Sequence, residues 1–180
     1  MNSTDNTLIK ILRPAANESA PYYHGYIDQV KYDDAMEGLE VQYFTAIEFF
    51  KSIPEEKWDY RYQDGKWTIK EVILHVIDAE RIFAYRALRI ARNDATPLPG
   101  FDQDIYVPES NAENRSANSI IEEYKTVREA THSLFINMSN EAISRIGTAS
   151  DNPISPRALA WILLGHEQHH ISVIKERYFI

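Results

Sequence analysis

The sequence predicts an all-α protein, a four-helix bundle with a long connection between its second and third helices. Three observations carry that expectation. Four stretches of similar length place apolar residues three and four apart, the period of an amphipathic helix. No segment alternates apolar and polar residues long enough to argue for a sheet. The segments between the four stretches are rich in Pro, Gly, Asn and Asp, which favour turns over helices. Four such helices in one chain of 180 residues suggest a single bundle domain spanning residues 1–180.

The first helix follows Met36, Leu39, Tyr43, Ile47 and Phe50 and ends near Pro54. The second opens at Thr68, with Glu71 three residues on in a capping-box pattern, and runs to about Asn93 before Pro97. Its apolar face includes Val72, Val76, Ala79, Phe83, Ala87 and Ile90. The third carries Ile120, Tyr124, Val127, Thr131, Leu134 and Met138. The fourth starts at Ser155 with Pro156 in the first turn, where proline is tolerated, and reaches about Tyr178. Segments 60–67, 94–114 and 147–152 read as loops, and the second connection is long enough to cross the bundle. Residues 1–26 read as an irregular lead segment, its part from Ile9 to Tyr26 wrapping the bundle, with Trp58 and Trp67 packed at the bundle's end.

Charge and composition exclude several functions. Nineteen Lys and Arg against 27 Asp and Glu give a net charge of -8, which repels phosphate backbones and argues against a nucleic-acid partner. The longest apolar run, 158–164, is far too short to span a bilayer, so no membrane partner is expected. The start of the chain lacks a secretory apolar region, and the expectation is a soluble cytoplasmic protein. With no cysteine, the chain has neither disulfides nor a thiolate ligand or nucleophile of its own.

Three of the six histidines lie in Gly165-His166-Glu167-Gln168-His169-His170. At ~100° per residue, His166 and His170 fall about 40° apart within the apolar stripe, whereas His169 falls at its edge. Imidazoles four apart on one helix can aim at a common point, a recurring metal-site pattern. His75, beside Val72, Val76 and Ala79, is the natural third ligand from a facing helix. Each of the three could instead be a hydrogen-bonded core histidine, the commoner fate of a histidine on an apolar face. Three imidazoles leave coordination positions open, as catalytic sites do, and do not single out zinc over nickel, iron, cobalt or copper. His24 and His132 read as structural or solvated.

The stretch Trp67-Thr68-Ile69-Lys70-Glu71-Val72-Ile73-Leu74-His75, followed by Asp78-Ala79-Glu80-Arg81, resembles the second helix of the DinB-like (DNA-damage-inducible) superfamily. The closing His166-Glu167-Gln168-His169-His170 segment resembles its last helix, and the segments 83–92 and 97–104 resemble one of its subgroups. The resemblance runs from about Pro21 to Tyr178. It implies a four-helix bundle, often a homodimer, with one divalent transition metal held by His75, His166 and His170. Zinc or nickel comes first, then iron, cobalt or copper. It also implies kinship with metal-dependent S-transferases and isomerases that use a low-molecular-weight thiol, so a small-molecule thiol and an electrophile are the expected partners.

Asp78 and Glu71 lie one turn either side of His75 and are candidates to orient a ligand imidazole or act as a base, although Glu71 already has its capping role and Asp78 can pair with Arg81. Arg86 shares the His75 face but lies eleven residues on, about 16 Å along the axis, too far to touch a bound metal, which favours a structural ion pair over substrate binding. Asp102 and Asp104 can rim a pocket or be solvated turn residues. Catalytic residues beyond the ligands are not identified. The leading expectation is a metal-dependent thiol S-transferase; a metal-dependent hydrolase and a non-enzymatic, stress-related bundle with a structural metal are the alternatives.

Overall fold

Each of the four long helices begins where a side chain caps the first backbone amides. The computed structural model describes residues 9–179; residues 1–8 of the expected lead segment lie outside the described residues. Helix α1 is short (His24–Gln29), and α2 (Ala35–Ser52) starts at Asp34, whose carboxylate accepts from the Met36 amide. Helix α3 (Ile69–Ala91) has the capping box: Thr68 Oγ1 accepts from Glu71 N at 3.2 Å and Glu71 Oε2 from Thr68 N at 2.6 Å. After a one-turn α4 (Gln103–Tyr106) come α5 (Ala117–Ile136), capped by Ser116, and a short α6 (Asn140–Ser144). Strands β1 (Gly147–Ala149) and β2 (Asn152–Ile154) precede α7 (Pro156–Arg177), where Ser155 Oγ accepts from Ala158 N.

Helices α2, α3, α5 and α7 form the bundle, with α3 and α2 each packed between α5 and α7. Two apolar clusters fill it. One joins Leu39 of α2, Phe83 and Ala87 of α3, Phe135 of α5 and Leu159 of α7. The other joins Phe50 of α2, Ile69 and Ile73 of α3, Ile120 and Tyr124 of α5 and Ile174 of α7. Both α3 and α5 therefore enter at the second cluster and leave at the first, while α2 and α7 run the opposite way. Neighbours α3 and α5 are parallel, so the connection 92–116 must return along the bundle, which explains its length. Among the described residues, no helix is long and apolar enough to cross a membrane.

The segment 147–152, expected as a loop, is instead a tight hairpin. Ser150 and Asp151 have φ of 50° and 61°, the two left-handed residues of a two-residue hairpin turn. Strands of three residues carry no alternation long enough to read. Leu98 joins β1 from the long connection, with Leu98 N donating to Thr148 O at 2.9 Å and Ser150 N to Leu98 O at 3.0 Å. The lead segment does wrap the bundle, as two single 3-10 turns followed by α1. Trp161 Nε1 of α7 donates to Ile11 O and Leu12 O, and Glu18 accepts from Ser155 Oγ at 2.7 Å. Helix α1 lies so close to α7 that a Cβ on Gly165 would meet Tyr26 O at 2.0 Å. Only glycine fits that contact.

Candidate metal centre

The stretch of α7 between its two apolar clusters carries His166 and His170, and α3 brings His75 opposite them. His166 Nε2 lies 3.1 Å from His75 Nε2 and 3.1 Å from His170 Nε2, and the three ligating atoms are all within 4.8 Å of one another. The three rings meet edge to face, with ring centres 4.5–5.0 Å apart. His169 is exposed and packs edge-on to Tyr26, outside the group, as the helical arithmetic requires.

Hydrogen bonding alone cannot satisfy this arrangement. A neutral imidazole nitrogen is either one donor or one acceptor with a single in-plane lone pair. His166 Nε2 can therefore serve one of its two neighbours and not both. Protonation is not the remedy, because burial lowers the proton affinity of all three. His75 falls to about 4 and His170 to about 3, and His166 is held well below its usual range by burial and by its histidine neighbours. Three converging neutral lone pairs fit a cation instead. Donors about 2.0–2.1 Å from one metal ion, at angles between octahedral and tetrahedral, are themselves roughly 3.1 Å apart.

The two carboxylates expected near His75 have other partners. Glu71 is held in the capping box and lies 3.6 Å from Arg61. Asp78 faces Arg81 at 3.5 Å, and burial raises its pKa. Neither hydrogen-bonds to the three rings among the described residues. His24 bonds Ala16 O, away from the triad. Trp58 is buried in the apolar cluster, and Trp67 packs on His75 with ring centres 5.1 Å apart.

Behind the histidines runs a buried ionic network that the sequence reading did not single out. Arg128 of α5 donates from Nε and Nη2 to both oxygens of Glu80 on α3, at 2.9 and 2.8 Å. Nη2 also reaches Glu167 Oε2 at 2.7 Å, and Tyr124 donates to the same oxygen at 2.7 Å. Glu80, Arg128 and Glu167 are each at most 2% exposed. Together with the histidines they form a polar layer between the two apolar clusters. A signal was available: Arg128 follows Tyr124 by four residues and so falls on the apolar stripe of α5.

In front of the histidines a cleft of about 480 Å³ opens between the lead segment, α3 and the long connection. His75 and His166 line it together with Tyr23, Tyr26, Phe83 and Phe101, and Asp102 and Asp104 stand at its exposed rim, as pocket-rimming residues would. Arg86 also lines it and forms no ion pair among the described residues, contrary to the expectation for that residue; its Nη2 donates to Pro99 O and Ser150 Oγ.

Residues 39–174 match the profile of the DinB superfamily, three quarters of the chain. The chain belongs to the DinB superfamily. A relative from Oceanobacillus iheyensis, named "Putative metal-dependent hydrolase", is 26% identical over 163 residues, covering 82% of this chain and 87% of the relative. The solved structure of YfiT from Bacillus subtilis, described as a probable metal-dependent hydrolase with an unusual four-helix bundle topology, superimposes with a TM-score of 0.65 at 16% identity. The overlap covers 91% of this chain and 90% of YfiT. The DinB bundle is thus the fold of this chain.

Proposed function

We propose that this DinB protein is a metal-dependent enzyme in which His75, His166 and His170 hold one divalent transition metal at the floor of the aromatic cleft. The observation that carries the reading is the pair of 3.1 Å Nε2 contacts, which no assignment of protons within the triad satisfies. A bound ion with three neutral ligands keeps its full charge and lowers the pKa of a water or thiol that reaches it. The chain's own part is to orient and to exclude water. Tyr26, Phe83 and Trp67 wall the imidazoles with rings and leave the cleft as the approach.

The proposed reaction is transfer of a low-molecular-weight thiol to a small electrophile. No acid or base side chain hydrogen-bonds to the triad among the described residues, and a thiol near pKa 8.5 needs less help to ionise than water does. Hydrolysis is the second reading, favoured by the names of both relatives and by Asp102 and Asp104 at the cleft rim, where a carboxylate can take a proton from water. Metal-loaded protein assayed against a thiol–electrophile panel and an ester and amide panel separates them. Turnover of the first panel only, lost on chelation, is expected. Turnover of the second only replaces thiol transfer with hydrolysis, and turnover of neither leaves a structural metal.

A further inference from the structure

Arg86 sits eleven residues beyond His75 on α3, and its position along the axis alone would remove it from the site. Helical side chains lean toward the N-terminus, however, and a long one recovers a full turn. The guanidinium carbon is 5.9 Å from the Phe83 ring centre, and the His166 ring centre is 6.0 Å from that same point. The two groups are therefore separated by no more than those lengths together, about 12 Å, across one cleft.

The guanidinium is also poorly accounted for by the chain itself. Arg86 is 2% exposed, yet Nη2 donates to two neutral oxygens, Pro99 O at 2.7 Å and Ser150 Oγ at 3.1 Å, and its other polar neighbour on the cleft wall is the neutral Tyr23 hydroxyl. The Phe83 and Phe101 ring centres each lie 5.9 Å from the guanidinium carbon, within cation–π range. A buried cation is costly without a counter-charge, the salt bridges among the described residues include none to Arg86, and Arg86 lines the cleft. The acids nearest in the cleft, Asp102 and Asp104, are exposed at the rim, and Asp102 caps α4 by accepting from Asp104 N at 2.9 Å. Solvent screens these two far more than it screens the buried partner.

We propose that Arg86 determines specificity in this cleft by pairing with an anionic group of the substrate, a carboxylate being the form that matches a planar guanidinium. The substrate class is then a short bifunctional molecule, with its reacting group at the histidines and its carboxylate at Arg86. The inference rests on the metal-dependent reading for the reacting end only.

The test uses the full chain loaded with cobalt(II), whose visible absorption changes when sulfur reaches the ion. Mercaptoalkanoates of increasing chain length are titrated in parallel with their primary amides. At the matching length the acid binds roughly tenfold or more tightly than its amide. Arg86→Gln abolishes that preference and Arg86→Lys keeps part of it, with circular dichroism showing both variants folded. Acid and amide binding alike at every length, or a preference that survives Arg86→Gln, overturns the proposal. A chain that takes up no cobalt defeats the metal reading instead. Calorimetric titration of the metal-free chain with an alkanoate and its amide then asks about Arg86 alone. An Arg86-dependent preference for the acid supports the proposal, and its absence overturns it.

Discussion

His166 stands at the middle of the triad, with a second imidazole on each side of its Nε2 atom. Removing any member leaves two ligands, so His75→Ala, His166→Ala and His170→Ala are each expected to lose most of the metal that purified wild-type protein carries. His169→Ala should retain it, because that ring is exposed and turned toward Tyr26. Elemental analysis of the four variants checks this; equal metal content in all of them would remove the site. The meeting of the His166 and His170 rings was legible in the sequence, because four-residue spacing puts both on one apolar face of the helix. Arg86 was not, for a physical reason. A rise of 1.5 Å per residue locates a Cα, and the reach of a guanidinium exceeds a helical turn. The fates of Glu71 and Asp78 were partly legible, since the capping box and the Arg81 spacing both pointed to the partners they have.

The helices that carry the ligands are held in register by the layer behind them. Arg128 joins α5 to α3 through Glu80 and to α7 through Glu167, with Tyr124 adding a fourth polar group. Replacing Arg128 with Met leaves two buried carboxylates without their cation, and about 3–5 kcal/mol of stability should be lost. Urea denaturation of the metal-free variant measures it; a loss under 1 kcal/mol would mean that the layer relaxes by letting water in. The contact of α1 with α7 depends on Gly165 in the same way. Gly165→Ala drives a methyl group into the Tyr26 carbonyl and should cost roughly 1–3 kcal/mol, with α1 moving away and Tyr26 leaving His166. Intrinsic tyrosine fluorescence and a melt report both effects. Periodicity located all four long helices, and the local signals at Thr68 and Ser155 also located the starts of α3 and α7, whereas the caps Asp34 and Ser116 were not singled out. The hairpin, the packing of α1 and the ionic layer are contacts between distant segments, and no local pattern encodes them.

At the scale of the whole molecule, the histidines tie metal, protons and folding into one equilibrium. In the metal-free protein His75 and His170 titrate near 4 and 3, below the value near 6.5 of the unfolded chain, and His166 is shifted the same way. Between those limits the unfolded chain binds more protons than the folded one, so stability rises with pH. Stability is therefore fully present above about pH 6.5 and falls with acidification, by up to about 1.4 kcal/mol per pH unit for each histidine, until the folded groups protonate near 4 and 3. Metal adds to this from the other side. It binds only deprotonated rings that converge after α3 and α7 have packed, so it stabilises the folded chain at neutral pH and is released as protons compete. The expected outcome of calorimetric melts with and without chelator is a higher Tm for the metal-loaded protein at pH 8. That difference should shrink steadily toward pH 5 while both forms lose stability. The apoprotein should keep its helical signal at room temperature, because two extensive apolar clusters hold the bundle independently of the triad. A metal-free chain that is a random coil at pH 8 would show instead that the ion is a folding staple. The cleft would then owe its shape to the metal, and the catalytic reading would lose its support.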